Sequence, residues 1–150
     1  MNEQIHTCCF FGHRTIDETE QLKSKLNEII ENLIMNDKVD TFLFGSKSRF
    51  DDLCHELVTK LKEKHPHIKR IYVRAEYPCI SDHYKNYLLE SYEDTYYPEH
   101  ILGSGKAAYV ERNYEMINKS HFCIINSFFV VNRLMNRSRT FGFKVGGYVA

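Results

Sequence analysis

Short apolar runs alternate with longer segments in which apolar residues recur every three or four positions. A run that is apolar throughout is typical of a strand buried on both faces of a sheet, whereas the longer spacing places apolar side chains on one face of a helix. The clearest helical spacing joins Leu22, Leu26, Ile29, Ile30, Leu33 and Ile34. The predicted strands cover residues 6–11, 39–44, 68–73 and 121–126, and the predicted helices cover residues 18–36, 49–64 and 106–119.

The order of these elements indicates the fold class. Strands that alternate with helices form parallel βαβ units with right-handed crossovers, and helices then cover both faces of the sheet. We therefore expect an α/β fold with a mostly parallel central sheet of four or five strands. The chain has 150 residues and shows no internal repeat or interdomain linker, so residues 1–150 are expected to form a single domain.

Residues 76–105 follow the third predicted strand and are less regular, because prolines and glycines interrupt them. We expect a long excursion here, with one short helix near residues 82–92. The tyrosines between residues 84 and 97 are compatible with two roles, stacking on a base or packing the loop onto the domain. Further on, residues 128–139 are interpreted as an apolar and then basic connection, and residues 144–150 as the start of a last helix.

The composition limits the cell compartments and the binding partners that we expect for this protein. The 20 basic and 20 acidic residues cancel, so the net charge gives no clear signal for nucleic acid or for an anionic membrane. The N-terminus does not resemble a signal peptide, and no apolar run approaches the roughly 20 residues that cross a bilayer. The five cysteines form no CxxC pair, which argues against a disulfide framework. We expect a cytoplasmic protein in which Cys79 is the exposed thiol.

The first candidate site residues follow the first predicted strand, where Gly12, His13 and Arg14 come directly after an apolar run. In open α/β sheets, ligands bind just beyond the carboxyl ends of the strands. Gly12 permits a sharp turn or a close approach to a ligand, and His13 can donate to an anion or exchange protons near neutral pH. Arg14 can form forked hydrogen bonds to phosphate or carboxylate. The sequence therefore predicts a site for an anionic small molecule.

The loop after the second predicted strand occupies the equivalent position. Parallel strands bring both loops to one edge of the sheet. Free N–H groups at the start of a helix, with serine hydroxyls beside them, form an anion cradle. Ser46 or Ser48 can alternatively serve as the helix N-cap, with Asp51 as the favourable acid of the first turn. We assign ligand contact in this loop to Gly45, Ser46, Lys47, Ser48, Phe50 and Asp51.

Other motifs give weaker signals. The segment Gly103-Ser104-Gly105-Lys106 lacks the first glycine and the final hydroxyl residue of a phosphate-binding P-loop. The histidines show no metal-ligand spacing, so no metal site is predicted. The GxSxG motif of a serine nucleophile is missing as well, and no cofactor is assigned. Arg112 and Asn113 lie on the helix predicted at residues 106–119, where spacing alone favours an exposed face with local Glu–Arg pairing.

Four segments together resemble the SLOG superfamily, named after the Smf/DprA and LOG proteins, and within it the YpsA-like branch. Cys9–Arg14 resembles the FTGHR opening of those proteins, and Gly45–Asp51 resembles their second glycine loop, which ends in Phe-Asp. Tyr109–Asn113, with Met116-Ile117 after it, resembles the Arg-Asn helix of the family. Thr140–Val145 stands where the family has a Ser-Gly-Thr turn, and this fourth match is degraded. The resemblance spans nearly the whole chain.

The resemblance implies a Rossmann-like three-layer sandwich of bacterial type that binds a nucleotide or nucleotide-derived ligand, with a homodimer as a further expectation. It adds Arg112, Asn113 and Gly142 to the expected ligand site. Two departures concern the fourth segment: Phe143 replaces a small hydroxyl residue, and Gly146 stands where cytokinin-activating LOG enzymes carry a glutamate. Without that carboxylate, the usual acid–base group of the N-glycosidase reaction is missing.

We therefore expect a cytoplasmic binding or sensing domain for a nucleotide-like small molecule, with no assigned catalytic residue. Two alternatives stay open. One is a nucleotide N-glycosidase similar to LOG phosphoribohydrolases, in which Glu111 or Asp51 replaces the missing carboxylate. The other is a non-catalytic protein-interaction scaffold that uses the tyrosine-rich excursion and the apolar run Phe128–Val131.

Overall fold

The computed structural model describes residues 6–45, 47–125 and 129–132 of the chain. Its strands are β1 (His6–Phe11), β2 (Val39–Phe44), β3 (Lys69–Val73), β4 (Asp94–Tyr96), β5 (Phe122–Ile125) and β6 (Phe129–Asn132). Its α-helices are α1 (Glu20–Asn36), α2 (Arg49–Lys64), α3 (Asp82–Leu89) and α4 (Ala108–Lys119).

The strands form one sheet in the order β4-β3-β2-β1-β5-β6. The first five strands in this order are parallel, and β6 runs antiparallel to β5 at the edge. In the centre of the sheet, Cys9 of β1 lies opposite Leu43 of β2 on one side and Cys123 of β5 on the other. The α/β, Rossmann-like three-layer fold with a mostly parallel sheet is confirmed.

Helices α1 and α2 cover one face of the sheet and form the larger core with it. Phenylalanine side chains of β1 and β2 stack there, with ring centroids 5.9 Å apart for Phe10 and Phe42 and 5.1 Å apart for Phe10 and Phe44. The apolar stripe of α1 packs onto these rings, and its predicted members are all buried. This agreement follows from the helical spacing, because residues three and four apart share one face.

Helix α4 packs on the opposite face, over a smaller core. Met116 of α4 is fully buried and lies in one cluster with Cys9, Leu43, Val73 and Cys123 of the sheet. Because neighbouring strand residues point to opposite faces, Cys8 belongs to the first core and Cys9 to the second. Burial on both faces of the sheet thus explains why residues 8–11 of this strand are all apolar.

Helix boundaries are fixed by side-chain caps. The Oγ1 atom of Thr19 accepts a hydrogen bond of 3.1 Å from the backbone N–H of Leu22, so α1 starts at Glu20 rather than at residue 18. Ser48 caps α2 in the same way, and its Oγ accepts from Asp51 N–H at 3.0 Å. Before α4, Gly103 and Gly105 have φ angles of +83° and +60°. Because these angles are not helical, α4 begins at Ala108 rather than at residue 106.

The two edge strands, β4 and β6, were not predicted from the sequence. The short helix expected near residues 82–92 is present as α3, but the excursion also contributes β4, which has three residues. A strand of this length is too short to show a periodic pattern. Residues 129–132 form β6, although the sequence was interpreted as a connection there. The predicted turn at Gly142 and the last helix lie outside the described residues.

The cysteines are divided between the interior and the surface. Four of them, Cys8, Cys9, Cys54 and Cys123, are buried, and Cys79 is exposed, as predicted. All five are free thiols, and the Sγ atoms of Cys9 and Cys123 lie 2.9 Å apart between β1 and β5. Burial raises the pKa of the Cys8, Cys9 and Cys54 thiols well above the usual value. Separately, none of the helices in the described part of the chain combines the length and apolar character needed to cross a bilayer.

The cap of α1 provides a test of the fold. Replacing Thr19 with alanine removes the acceptor for the Leu22 N–H, and we expect the free energy of unfolding to fall by about 1 kcal/mol. Chemical denaturation measures this loss. Asp17→Ala is the matched control, because the Asp17 carbonyl, not its side chain, accepts from the Thr19 N–H. An equal loss in both variants would contradict the assignment of the cap.

Candidate functional site

A cleft of about 630 Å³ opens at the carboxyl edge of the sheet, between the ends of β1 and β2 and the first turns of α4. The chain passes from β1 to β2, β3 and β4 in one direction and then returns to place β5 on the other side of β1. The strand order therefore reverses at β1, which is where open α/β sheets bind their ligands.

Most of the residues predicted from the sequence meet in this cleft. Eight of the twelve line it: Gly12, His13, Arg14, Gly45, Lys47, Ser48, Arg112 and Asn113. Ser46 and Gly142 lie outside the described residues. Phe50 and Asp51 do not line the cleft but lie behind its wall. What the cleft binds is a separate matter, and the ligand assignment of these residues stays a prediction.

Phe50 is a structural support for the first loop. Its side chain is fully buried and lies directly beneath Gly12. A Cβ atom added to Gly12 would lie 2.6 Å from the Cβ of Phe50 and closer still to its ring. Gly12 is therefore required for the close approach of the backbone to α2, which brings the two strand-end loops side by side.

Arg49 connects the two loops through both its backbone and its side chain. Its backbone N–H donates to the carbonyl of Arg14 at 2.9 Å. Its guanidinium makes two bonds of 2.6 Å to the carboxylate of Glu18. These bonds hold the segment that carries Arg14, whose own side chain is exposed and forms no ion pair with the described residues. Arg14 is thus positioned by its backbone while its guanidinium stays available to a ligand.

Backbone N–H groups in the first turn of α2 already donate to acceptors within the protein. The Arg49 N–H donates to Arg14, and the N–H groups of Asp51 and Asp52 donate to the side chain and the carbonyl of Ser48. This differs from the expectation that free helix amides form the cradle. The start of the helix still contributes its dipole, but direct bonds to an anion must come from side chains and from the loop before Ser48.

Arg112 forms the floor of the cleft. Its side chain is buried, with the residue 5% exposed, and its Nη1 donates to the carbonyl of Gly45 at 2.6 Å and to that of Val73 at 3.4 Å. Burial lowers the pKa of its guanidinium from the usual value. A Cβ atom on Gly45 would lie 2.9 Å from the Arg112 Cδ, so Gly45 makes room for this side chain. Spacing alone had favoured an exposed arginine here, and the structure shows a buried one.

Asn113 is oriented by its neighbour. The Nε atom of Arg112 donates to the Oδ1 of Asn113 at 3.0 Å. Because the amide oxygen is engaged, the Nδ2 group of Asn113 is the part that can donate to a ligand. Arg112 therefore supports the site from below, and Asn113 faces the cleft.

Glu76 and Tyr109 also line the cleft, although neither was predicted as a site residue from the sequence. Glu76 follows the end of β3 and pairs with Lys47 at 2.6 Å, and this hydrogen bond raises the pKa of Lys47. The strand-end rule that selected Gly12 and Gly45 could also have selected Glu76. Tyr109 lies one helical turn before Arg112, whose guanidinium carbon lies 5.8 Å from the centre of the tyrosine ring.

The charges that line the cleft favour an anion. Arg14, Lys47 and Arg112 contribute three cations, whereas Glu76 is the carboxylate among the described lining residues. Lys47 and Glu76 neutralise each other, so the two arginines leave a positive excess. A positive cleft with strand-end glycines is suited to phosphate or carboxylate groups.

No protein-family model matches the chain, and no curated protein matches it. The resemblance to the SLOG superfamily therefore stays a prediction from the motifs.

Asp51 is a buried carboxyl group next to the cleft. The residue is 4% exposed, and its Oδ1 atom has no hydrogen-bond partner among the described residues. Burial raises its pKa well above the usual value, the charge of Asp52 adds to this, and the charge of Arg112 acts in the opposite direction. The folded environment therefore favours the neutral form of Asp51.

The stability of the protein should reflect this shift. Because the folded state raises the pKa of Asp51, it binds a proton more tightly than the unfolded state, and stability falls as pH rises above about 4. We expect Asp51→Asn to be more stable than the wild type at neutral pH and to lose that advantage near pH 4. Thermal melts across this range measure it. Glu63→Gln, exposed near the other end of the same helix, is the control. A wild-type advantage at neutral pH would contradict the argument.

The contact between Gly12 and Phe50 provides a second test. Gly12→Ala forces a methyl group against Phe50, and we expect a loss of roughly 1–3 kcal/mol in the free energy of unfolding, the usual cost of overpacking. Urea denaturation measures it. Arg14→Ala, two residues away and exposed, should leave stability within about 0.5 kcal/mol of the wild type. If Gly12→Ala were as stable as Arg14→Ala, the close packing would be refuted.

Proposed function

We propose that this domain binds a nucleotide or nucleotide-derived ligand and acts as a binding or sensing module. The observation that carries the proposal is the convergence of Arg14, Lys47 and Arg112, from three separate segments, on one cleft at the carboxyl edge of a parallel sheet. This edge is the usual ligand position of the fold class. The resemblance to SLOG proteins supports the same conclusion by analogy.

Each lining residue has a role in this proposal. Arg14 forms forked bonds to the phosphate, and Lys47 adds a second charge beside it. The backbone N–H groups around Gly12 and the loop from Gly45 to Ser48 provide further donors. His13 and the Nδ2 group of Asn113 orient the sugar. Arg112 contributes its positive charge from the floor, because its Nη1 is already bonded to the backbone.

The geometry favours binding over N-glycosidase activity. Neither of the carboxylates considered for that reaction, Glu111 and Asp51, lines the cleft. Glu76 does line it, but its carboxylate is engaged in an ion pair with Lys47 at 2.6 Å. The scaffold alternative relies on the run Phe128–Val131, whose side chains lie outside the described part of the chain. We carry the cytoplasmic location, the bacterial type and the homodimer into the proposal as predictions.

Ligand-dependent stabilisation tests the proposal. A ligand that binds only the folded state at 100 times its Kd stabilises it by about 2.7 kcal/mol, so nucleoside mono- and diphosphates should raise the Tm of the wild type. We expect Arg14→Ala to keep the unliganded Tm and to bind at least roughly 10-fold more weakly, because it loses charge-assisted bonds. Lys60→Ala is the control, since this exposed cation on α2 does not line the cleft. Equal shifts in all three proteins, or none in the wild type, would refute the proposal.

A further inference from the structure

A second cavity of about 300 Å³ lies beside the cleft, between the first turns of α2, the end of β3 and helix α3. We call it the tyrosine cavity, because Tyr72, Tyr84, Tyr87 and Tyr92 line it together with Asp51. Lys47 lines both the cleft and the tyrosine cavity. One ligand can therefore reach both spaces by passing this lysine.

The aromatic walls are suited to a flat ring. Tyr84 and Tyr87 lie on successive turns of α3 with ring centroids 6.2 Å apart and planes at 24°, and Tyr72 and Tyr92 lie 5.3 Å apart. Tyr87 is 63% exposed, which is unusual for a residue whose role is to pack a loop onto a core. Aromatic rings that flank an open space provide faces on which a planar heterocycle stacks.

In the tyrosine cavity, folding leaves one oxygen of the Asp51 carboxyl group without a partner in the described part of the chain, although the group accepts a hydrogen bond from the Gly45 backbone. Its Oδ1 atom is buried and has no partner among the described residues, although the residue lines the cavity. Burying a polar atom without a hydrogen bond is costly, and such atoms in native proteins call for a partner. A carboxyl group offers an acceptor oxygen whether it is ionised or protonated. Folding alone favours the neutral form of Asp51, but a hydrogen bond donated to Oδ1 stabilises the ionised form. A ligand amino group is such a donor, and it supplies the partner that Oδ1 lacks.

His55, another polar residue of the cavity wall, already has a hydrogen-bond partner within the protein. Its Nε2 donates to the carbonyl of Ser91 at 2.9 Å, and its ring lies 4.7 Å from that of Tyr92. This bond fixes the back of the tyrosine cavity. Among the described residues that line the tyrosine cavity, Asp51 is the one with a buried side-chain polar atom that has no hydrogen-bond partner.

We propose that the tyrosine cavity binds the base of the nucleotide, and that an amino group on this base donates to Asp51 while the rings of the tyrosines stack on its faces. The inference rests on the proposed function of the cleft, which holds the phosphate. Lys47 stands at the junction of the two spaces, and Glu76 pairs with it from the cleft side. The ligand class is a nucleotide whose base carries an exocyclic amine.

Two pairs of nucleotides that differ by one amino group test the hydrogen bond. AMP is compared with purine riboside 5′-monophosphate, and GMP with IMP, by calorimetric titration of the wild type. In at least one pair, we expect the nucleotide with the amine to bind roughly 10-fold more tightly, the usual effect of a hydrogen bond to a carboxylate. Asp51→Leu, which has a similar size but no acceptor, should abolish that difference. Equal affinities in both pairs, or a preference that survives Asp51→Leu, would overturn the inference.

The stacking is tested separately. Tyr84→Ala and Tyr87→Ala should each weaken binding of the preferred nucleotide several-fold without changing the affinity for ribose 5-phosphate, which has no base. Tyr114→Ala is the matched control, because this tyrosine is exposed on α4 and lines neither space. If the tyrosine variants of α3 bound like Tyr114→Ala, the base would not lie in the tyrosine cavity and the inference would fail.

Ribose 5-phosphate also separates this inference from the proposed function. Binding of ribose 5-phosphate as tight as that of every nucleotide would overturn the inference and leave the phosphate cleft in place. If neither ribose 5-phosphate nor any nucleotide bound, the proposed function would fail and the inference with it. Tighter binding of the amino-bearing nucleotide, lost in Asp51→Leu, supports both.

Discussion

The hydrogen bond from the buried guanidinium of Arg112 to the carbonyl of Gly45 holds the two sides of the site together. Helix α4 covers its face of the sheet with a small apolar cluster around Met116, so a polar link at the other end of the contact has a large effect on its position. Removing a partner from a buried charged group costs far more than the bond adds, because the charge is left unpaired. Gly45 allows the bond by leaving the space that a side chain would fill.

Several features of the site depend on this contact. The same guanidinium orients Asn113, reaches the end of β3 through Val73 and lies beneath the ring of Tyr109. The ends of β2 and β3 and the first turns of α4 therefore form one framework. On the other side, Phe50 and Arg49 fix the loop after β1 against α2. The cleft is thus built from backbone contacts and buried side chains, with exposed Arg14 attached to its rim.

The sequence alone was sufficient to predict the bounds of the elements that have a long hydrophobic pattern. Strands β1 and β2 and helix α2 have the predicted bounds, because each strand ends in an apolar run before a glycine and the helix carries a full apolar stripe. Strand β4 has three residues and gains its stability from pairing with β3, which no local pattern records. The glycines after β1 and β2 located the cleft, since strand ends in a parallel sheet share one edge. The burial of Arg112 was not predictable from spacing, because it depends on the absence of a side chain at Gly45 in another segment.

The arrangement of the cysteines has a consequence for how this molecule can be observed. Four thiols lie in the two apolar layers of the sandwich, and the fifth, Cys79, lies in the excursion before α3. The thiolate is the reactive form of cysteine. Burial and raised pKa values therefore make the thiols of Cys8, Cys9 and Cys54 unreactive in the folded state. A thiol reagent therefore modifies Cys79 at once and the interior thiols as the sheet opens. The native chain thus has a single attachment point for a fluorophore. The rate at which its buried thiols become modified reports the rate at which the protein unfolds.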